Sequence, residues 1–368
     1  MDRISGLPDD VLVKILSFVP TKVAVSTSIF SKRWEFLWMW LTKLDFGNKH
    51  YSESECKRLH CFLDRNLPLH RAPVIESFRL VLSDSRFKPE DARMWAVVAV
   101  SRYIRELEIC SSYFPEKQNI LPSSLYTCKS LVILKLDGGI LLDVPRMVCL
   151  PSLKTLELKG VSYFKQGSLQ RLLSNCPVLE DLFVLLLRCD DIGMFIVIVP
   201  SLQRLSLYLS PRCNLEGFVI VIDTPSLEYF KLVDRNYDRH PYMVENMPKL
   251  TSVYVEVISA DLKILIGSIT SVKYLTIFLE NYDDYEFPWN QPSTVPECLL
   301  SSLQKFTWTN YLGRPQDKDI AVYILKNACR LIRTATIICD TCLVPELEMI
   351  KELTRSSRAS STCELNFS

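Results

Sequence analysis

Hydrophobic and polar positions along most of this 368-residue chain follow one recurring phrase, an apolar triplet at offsets 0, 3 and 5. It reads LTKLDF from Leu41, IESFRL from Ile75, IRELEI from Ile104, LVILKL from Leu131 and LKTLEL from Leu153. It continues as LEDLFV from Leu179, LQRLSL from Leu202, LEYFKL from Leu227, LTSVYV from Leu250, VKYLTI from Val272 and LQKFTW from Leu303. The eleven starts lie 22 to 34 residues apart, and four copies follow a Pro-Ser-Leu or close variant, as at Pro151-Ser152-Leu153 and Pro248-Lys249-Leu250. Offsets 3 and 5 share one face of a strand, so each copy sends two apolar side chains into a common core and turns offset 4 outward. One such repeat cannot bury its face alone, and stacking the copies does so.

A different pattern opens the chain. From Leu7 to Trp38 it reads LPDDVLVKILSFVPTKVAVSTSIFSKRWEFLW. Pro8 suits a first helical turn, and Asp9 and Asp10 suit the positive end of the helix dipole. Val11, Leu12, Ile15, Leu16 and Val19 then form an apolar stripe at helical period, which Pro20 ends. Thr21 is placed to cap a second short helix over about 22–30, and Ser31 a third that begins at Lys32 and carries Trp34, Leu37 and Trp38. About forty residues cannot bury this much apolar surface by themselves, so the segment needs a partner. At the other end, Asp319 to Leu331 predicts an amphipathic helix with Val322, Ile324, Leu325 and Leu331 apolar, followed by a strand from Thr334 to Cys339.

Composition narrows the picture. Hydrophobic residues make up 48% and charged residues 23%, which supports a large core. Lys and Arg total 43 against 42 Asp and Glu, so the chain lacks the basic footprint of a nucleic-acid binder. The charged N-terminus does not read as a secretory signal. The most apolar stretches, Leu182 to Leu187 and Ile192 to Pro200, fall short of the ~20 residues of a membrane span and are predicted to be buried strands. Thirteen cysteines, odd in number and scattered, fit reduced thiols in the cytoplasm or nucleus rather than a disulfide framework.

Catalytic and metal chemistry find little support. None of the four histidines joins a nucleophile motif, and no Gly-rich phosphate loop or GxSxG occurs, so neither an enzyme nor a cofactor site is expected. Cys56, His60, Cys61 and His70 match no common zinc spacing, and no metal is expected there. Cys339 and Cys342 form a lone CxxC that reads as strand-end packing. The acidic run Glu280 to Glu286 reads as a solvated loop.

Three resemblances organise these readings. LPDDVLVKILSFVPTK followed by SIFSKRWEFLW closely resembles the F-box in its plant form, through Leu7, Pro8, Asp9, Leu12, Ile15, Leu16, Pro20, Thr21, Lys22, Ser31, Lys32, Arg33, Trp34 and Trp38. The triplets resemble a leucine-rich repeat array. The usual Asn after the triplet is replaced, as at Gly139, Val161, Ser210 and Arg235, so the array is expected to be irregular, with longer helices on its convex side. From Val295, residues such as Pro296, Cys298, Leu299, Leu300, Phe306, Trp308, Tyr311, Gly313, Tyr323 and Asn327 resemble the FBD module. The fold implied is α/β: a three-helix F-box over 1–45, an irregular leucine-rich repeat solenoid over 46–294, and an FBD module over 295–368 that continues and closes it.

The resemblance implies a substrate-recognition subunit of a Skp-cullin-F-box type ubiquitin ligase. Leu7, Pro8, Val11, Leu12, Ile15 and Leu16 would face a Skp-type adaptor, and through it a cullin. The exposed strand positions Phe183, Arg204, Tyr229, Lys231, Tyr254 and Tyr274 would hold an unknown target protein. In that arrangement the four rings are expected in one column, with Arg204 and Lys231 in the next. The alternative is a binding scaffold or small-molecule sensor built on the repeats. No nucleic acid or membrane partner is implied.

Overall fold

The computed structural model describes residues 4, 6–47, 52–82, 87–113, 117–164, 167–187, 193–211, 213, 218–236, 241–245, 247–257, 259–279, 289, 291–331, 334–339 and 346–367. The chain divides into two compact units, Met1–Leu179 and Glu180–Ser368. In both units the triplets organise the core. All three positions of all eleven copies are buried, because offsets 0, 3 and 5 fall inside one sheet face and the turn leading into it.

In the first unit the strands Lys43–Phe46, Ser77–Leu82, Glu106–Ser111, Ile133–Asp137 and Thr155–Lys159 pair in parallel in that order. In the second, Asp181–Leu186, Arg204–Leu209, Tyr229–Asp234, Ser252–Val257, Tyr274–Leu279 and Lys305–Thr309 do the same. Two further strands, Thr334–Ile337 and Glu364–Phe367, extend that sheet beyond the last triplet. The register is even: Leu182, Leu205, Phe230, Val253 and Leu275 stand opposite one another from strand to strand.

The return segments differ from expectation. The gaps of 34 and 29 residues return through the helices Glu53–Asn66 and Pro89–Val100. Six shorter gaps contain strands instead: Asn119–Ile120, Ile140–Leu142 and Ser162–Tyr163 form one small parallel sheet, and Met194–Ile198, Val219–Asp223 and Tyr242–Glu245 another. A strand advances roughly 3.3 Å per residue against 1.5 Å for a helix, so an extended return spans a repeat with few residues, although the 22-residue gap after Leu250 returns through the helix Ser259–Ser268 and the gap after Leu153 adds the helix Ser168–Leu173 to its strand. The stretch read as a buried strand at Ile192 to Pro200 is therefore one-sided. Phe195 and Val197 are buried, while Met194 and Ile198 face solvent.

Without an asparagine ladder, backbone groups reach the neighbouring repeat directly. The Gly139 amide donates to the Ser112 carbonyl at 2.8 Å and the Ser210 amide to Leu186 at 2.9 Å. Gly138 permits the first of these turns: its φ is +92° and a Cβ there would lie 2.0 Å from the Ser111 carbonyl oxygen.

The N-terminal segment forms the helices Asp9–Leu16 and Thr21–Ser26, but the third helix is absent as such. Residues 32–36 are turns, followed by a single 3-10 segment, Leu37–Trp40. Leu37, Trp38 and Met39 are all buried, and an α-helix on a surface cannot bury three consecutive side chains on one stripe. Near the C-terminus the helix Pro315–Asn327 is capped by Asp317, a buried carboxylate that accepts from the amides of Leu312 and Arg314. Among the described residues ten cysteines are free, but Cys339, just after Thr334–Ile337, is disulfide-bonded, a departure from all-reduced thiols. Cys342 and the acidic run at 280–286 lie outside the described residues.

Candidate functional site

The helix Asp9–Leu16 sorts its stripe into two sides. Leu12 and Leu16 are buried within the unit, whereas Val11 and Ile15 face solvent, Pro8 is exposed and Leu7 is half-buried. Six residues were expected on the adaptor-facing surface, and two of them, Leu12 and Leu16, instead complete the segment's own core. Helical spacing marks the apolar side without saying how much of it the chain itself covers. Arg33 fixes the entry to the helix, donating to the Asp9 carboxylate at 2.9 Å and to the Leu7 carbonyl.

Sequence reasoning left out the largest exposed groups here. Phe18, Ile29 and Phe30 are 77%, 84% and 69% exposed, with Val19, Val23, Phe36 and Trp40 also open. So much apolar surface in about forty residues marks a docking surface. Phe18 follows the first helix, where periodicity carries no signal, and Ile29 and Phe30 fall in a stretch expected to continue the second helix, which ends instead at Ser26 and gives way to the 3-10 turn Thr27–Ile29.

In the first unit the outward strand positions at offset 4 are charged, alternate in sign and lie in register: Asp45, Arg79, Glu108, Lys135 and Glu157. Arg79 bridges Asp45 at 3.2 Å and Glu108 at 2.9 Å. Glu157 lies 3.9 Å from Lys135 and also pairs with Lys159. Lys135 and Glu157 are consequently half-buried rather than fully exposed. This face neutralises its own charge.

The second unit is built differently. Parallel register puts Phe183, Ser206, Lys231, Tyr254 and Thr276 in one column, and Asp181, Arg204, Tyr229, Ser252, Tyr274 and Lys305 in the next. Rings and cations thus mix within columns instead of separating. Ser206 is too short to fill the space between Phe183 and Lys231. The ring of Tyr208, two residues on, lies 5.0 Å from the Phe183 ring and 5.2 Å from the Lys231 ammonium. The same ammonium lies 4.3 Å from the Tyr254 ring. Lys231 is held between two tyrosines.

The clasp has a fixed end. Tyr254 donates its hydroxyl to Glu256 at 3.1 Å, and Glu256, buried, is bound by the Arg235 guanidinium at 2.6 Å. Burial, with the Glu256 charge, pushes the Tyr254 phenol pKa well above its usual value. Arg204 is occupied: its guanidinium grips the Asp181 carboxylate in a two-point contact, one bond at 2.7 Å, which raises its pKa. Of the six expected residues, Phe183, Lys231 and Tyr254 join through Tyr208. Arg204 is turned to Asp181, and Tyr229 and Tyr274 stay in the neighbouring column. Tyr208 was passed over because it stands at offset 6, and nothing local shows that a serine beside it opens a gap.

The four sequence-clustered metal candidates are dispersed. Cys56 and His70 are buried, Cys61 is exposed, and His60 sits between Asp64 at 3.2 Å and Asp91 at 3.0 Å. Among the described residues no group of three His, Cys, Asp or Glu side chains is placed to hold a metal, and no helix is long and apolar enough to cross a membrane. A cavity of about 490 Å³ in the first unit has Val25, Phe46, Leu59 and Phe62 on its walls and Lys22 and Arg58 among its charged lining.

Three family models match successive parts of the chain. Residues 4–45 match the family model for the F-box domain, residues 92–273 the model described as FBD-associated F-box protein At5g56370, LRR repeats, and residues 291–337 the FBD model. FBD-associated F-box protein At4g10400 of Arabidopsis thaliana is 69% identical over the full length of both chains. F-box protein At4g09920 of the same plant is 90% identical over 299 residues, 81% of this chain and 94% of that protein. FBD-associated F-box protein At5g38590, also from Arabidopsis thaliana, is 48% identical over 96% of this chain and 98% of its own.

Proposed function

Because the chain belongs to the F-box proteins that carry leucine-rich repeats and an FBD module, we propose that it is the substrate-recognition subunit of a Skp-cullin-F-box type ubiquitin ligase. The observation that carries the reading is the open apolar surface of the N-terminal segment, with Phe18, Ile29 and Phe30 in solvent where the F-box match lies. A Skp-type adaptor covers that surface and links the chain to a cullin. The outward face of the second unit holds a target protein. The chain contributes no bond-making step of its own: it raises the effective concentration of a target lysine beside the charged ubiquitin carrier.

The test is co-purification. The full chain, expressed with a Skp-type adaptor, forms a stoichiometric complex, and a clean free chain that ignores the adaptor overturns the proposal in favour of a scaffold. The cavity lined by Phe46 and Phe62 favours a second reading, a receptor that also senses a small molecule. Ligand-dependent target capture by the same complex distinguishes it from the first.

A further inference from the structure

The two outward sheet faces differ in one respect that bears on what they bind. In the first unit, Arg79, Lys135 and Lys159 each have a carboxylate within ion-pair distance on the same face, while Lys43 on the first strand has none among the described residues and stands exposed. In the second, Arg204 is taken by Asp181 and Arg235 by Glu256. Lys231 and Lys305 have no carboxylate partner among the described residues, although both stand on that face. Lys231 is held by rings instead, between Tyr208 and Tyr254, with Tyr254 fixed in turn through Glu256 and Arg235.

A lysine normally spends rotamer entropy when it orders against a partner. Here the aromatic walls have already ordered it, and they leave its charge uncompensated because a ring face attracts a cation without neutralising it. Such a group is preorganised to receive an anion. The rings around it offer apolar area at little entropic cost.

We propose that the Tyr208–Lys231–Tyr254 clasp is a receptor for a carboxylate side chain of a peptide segment, an Asp or Glu flanked by aromatic or aliphatic residues. The inference rests on the receptor reading only in calling that segment part of a target. A carboxylate fits better than a phosphoryl group, since a dianion is matched by clusters of arginine forks, and both arginines near the clasp are committed to Asp181 and Glu256. Lys305 lies three strands from Lys231 and one column over, about 16 Å at the usual strand and residue spacings. An extended peptide crossing the strands covers that distance in about four or five residues, so a second acidic residue at that interval completes the fit.

The probe is a random dodecapeptide library displayed on phage and selected on the immobilised full-length chain. The expected pool is enriched in Asp and Glu next to aromatic or aliphatic residues. Synthetic copies of the best peptides lose about tenfold in affinity to Lys231→Met, the scale of one charge-assisted hydrogen bond, and lose more to Lys231→Glu. A pool with no acidic enrichment, or no enriched pool at all, overturns the proposal whether or not any variant folds. So does an affinity unchanged in a folded Lys231→Met chain, or tighter binding when phosphoserine replaces the selected acidic residue. Adaptor capture is read separately on the same preparations. Its failure with acidic selection intact sinks the receptor reading and leaves the clasp standing, and the reverse result sinks only the clasp.

Discussion

The backbone amide of Asp45 donates to the hydroxyl of Thr21 at 2.9 Å, tying the first strand of the sheet to the second helix of the N-terminal segment. Thr21 was expected to cap that helix. It is instead the first helical residue, it is buried, and its side chain serves the strand. Both residues fall within the F-box match, and Asp45 also lies on the strand of the first triplet, so the second helix and the first repeat strand share a hydrogen bond.

Thr21→Val keeps the shape and leaves the Asp45 amide without its acceptor. The expected loss is about 1 kcal/mol in urea unfolding, the net worth of one part-buried hydrogen bond. Hydrogen exchange at the Asp45 amide should rise with it, and unchanged exchange would contradict the bond.

The adaptor surface separates into covering and core residues. Joint replacement of Phe18, Ile29 and Phe30 by serine should abolish adaptor capture while the melting temperature holds, since these side chains are already in solvent. Leu12→Ala should cost about 2–5 kcal/mol by opening a cavity. Equal loss of capture and stability in both variants would show the surface to be misassigned.

Leu205 lies at offset 3 of the LQRLSL copy and is fully buried in the second unit. Leu205→Ala should cost about 2–5 kcal/mol, measured by chemical denaturation. A change below about half a kcal/mol is what surface positions give, and would place Leu205 outside the core.

Gly138→Ala is predicted to destabilise more than an alanine normally would, by about 1–3 kcal/mol, because the left-handed backbone and the Ser111 carbonyl both oppose a Cβ. A calorimetric scan beside Gly167→Ala makes the comparison. Gly167 also has positive φ, but a Cβ there meets nothing within 4 Å, so the difference isolates the close approach.

His70 gives a pH signature. Burial, with Arg102 nearby, lowers its pKa from 6.5 to about 4, against a smaller opposing contribution from the Leu41 backbone. The unfolded chain therefore binds this proton first as pH falls. The stability linked to neutral His70 is complete above about 6.5 and is lost progressively down to about 4, at most roughly 3 kcal/mol. His70→Phe, packed beside Trp38, should flatten that part of the stability profile, and an unchanged slope would assign it to other groups.

The sequence by itself determined the repeat. Spacings of 3 and 5 are local, the strand period converts them into one buried face, and all eleven triplets are found in the core for that reason. It also placed the first helix, through Pro8, the two aspartates and the Leu12–Leu16 spacing. These are facts about neighbours along the chain.

The tertiary structure decided what depends on neighbours across it. Whether Leu12 or Phe18 is the open residue depends on what packs underneath, and the run from Leu37 to Met39 became 3-10 because three adjacent side chains are all buried. The clasp shows the same dependence. Phe183, Tyr208, Lys231 and Tyr254 come from four successive strands, and only parallel register, with Ser206 too small to intervene, brings two rings to one ammonium. Strand period tells which side chains turn outward. Which of them touch is set by pairing between residues more than twenty apart, and no local pattern encodes that distance.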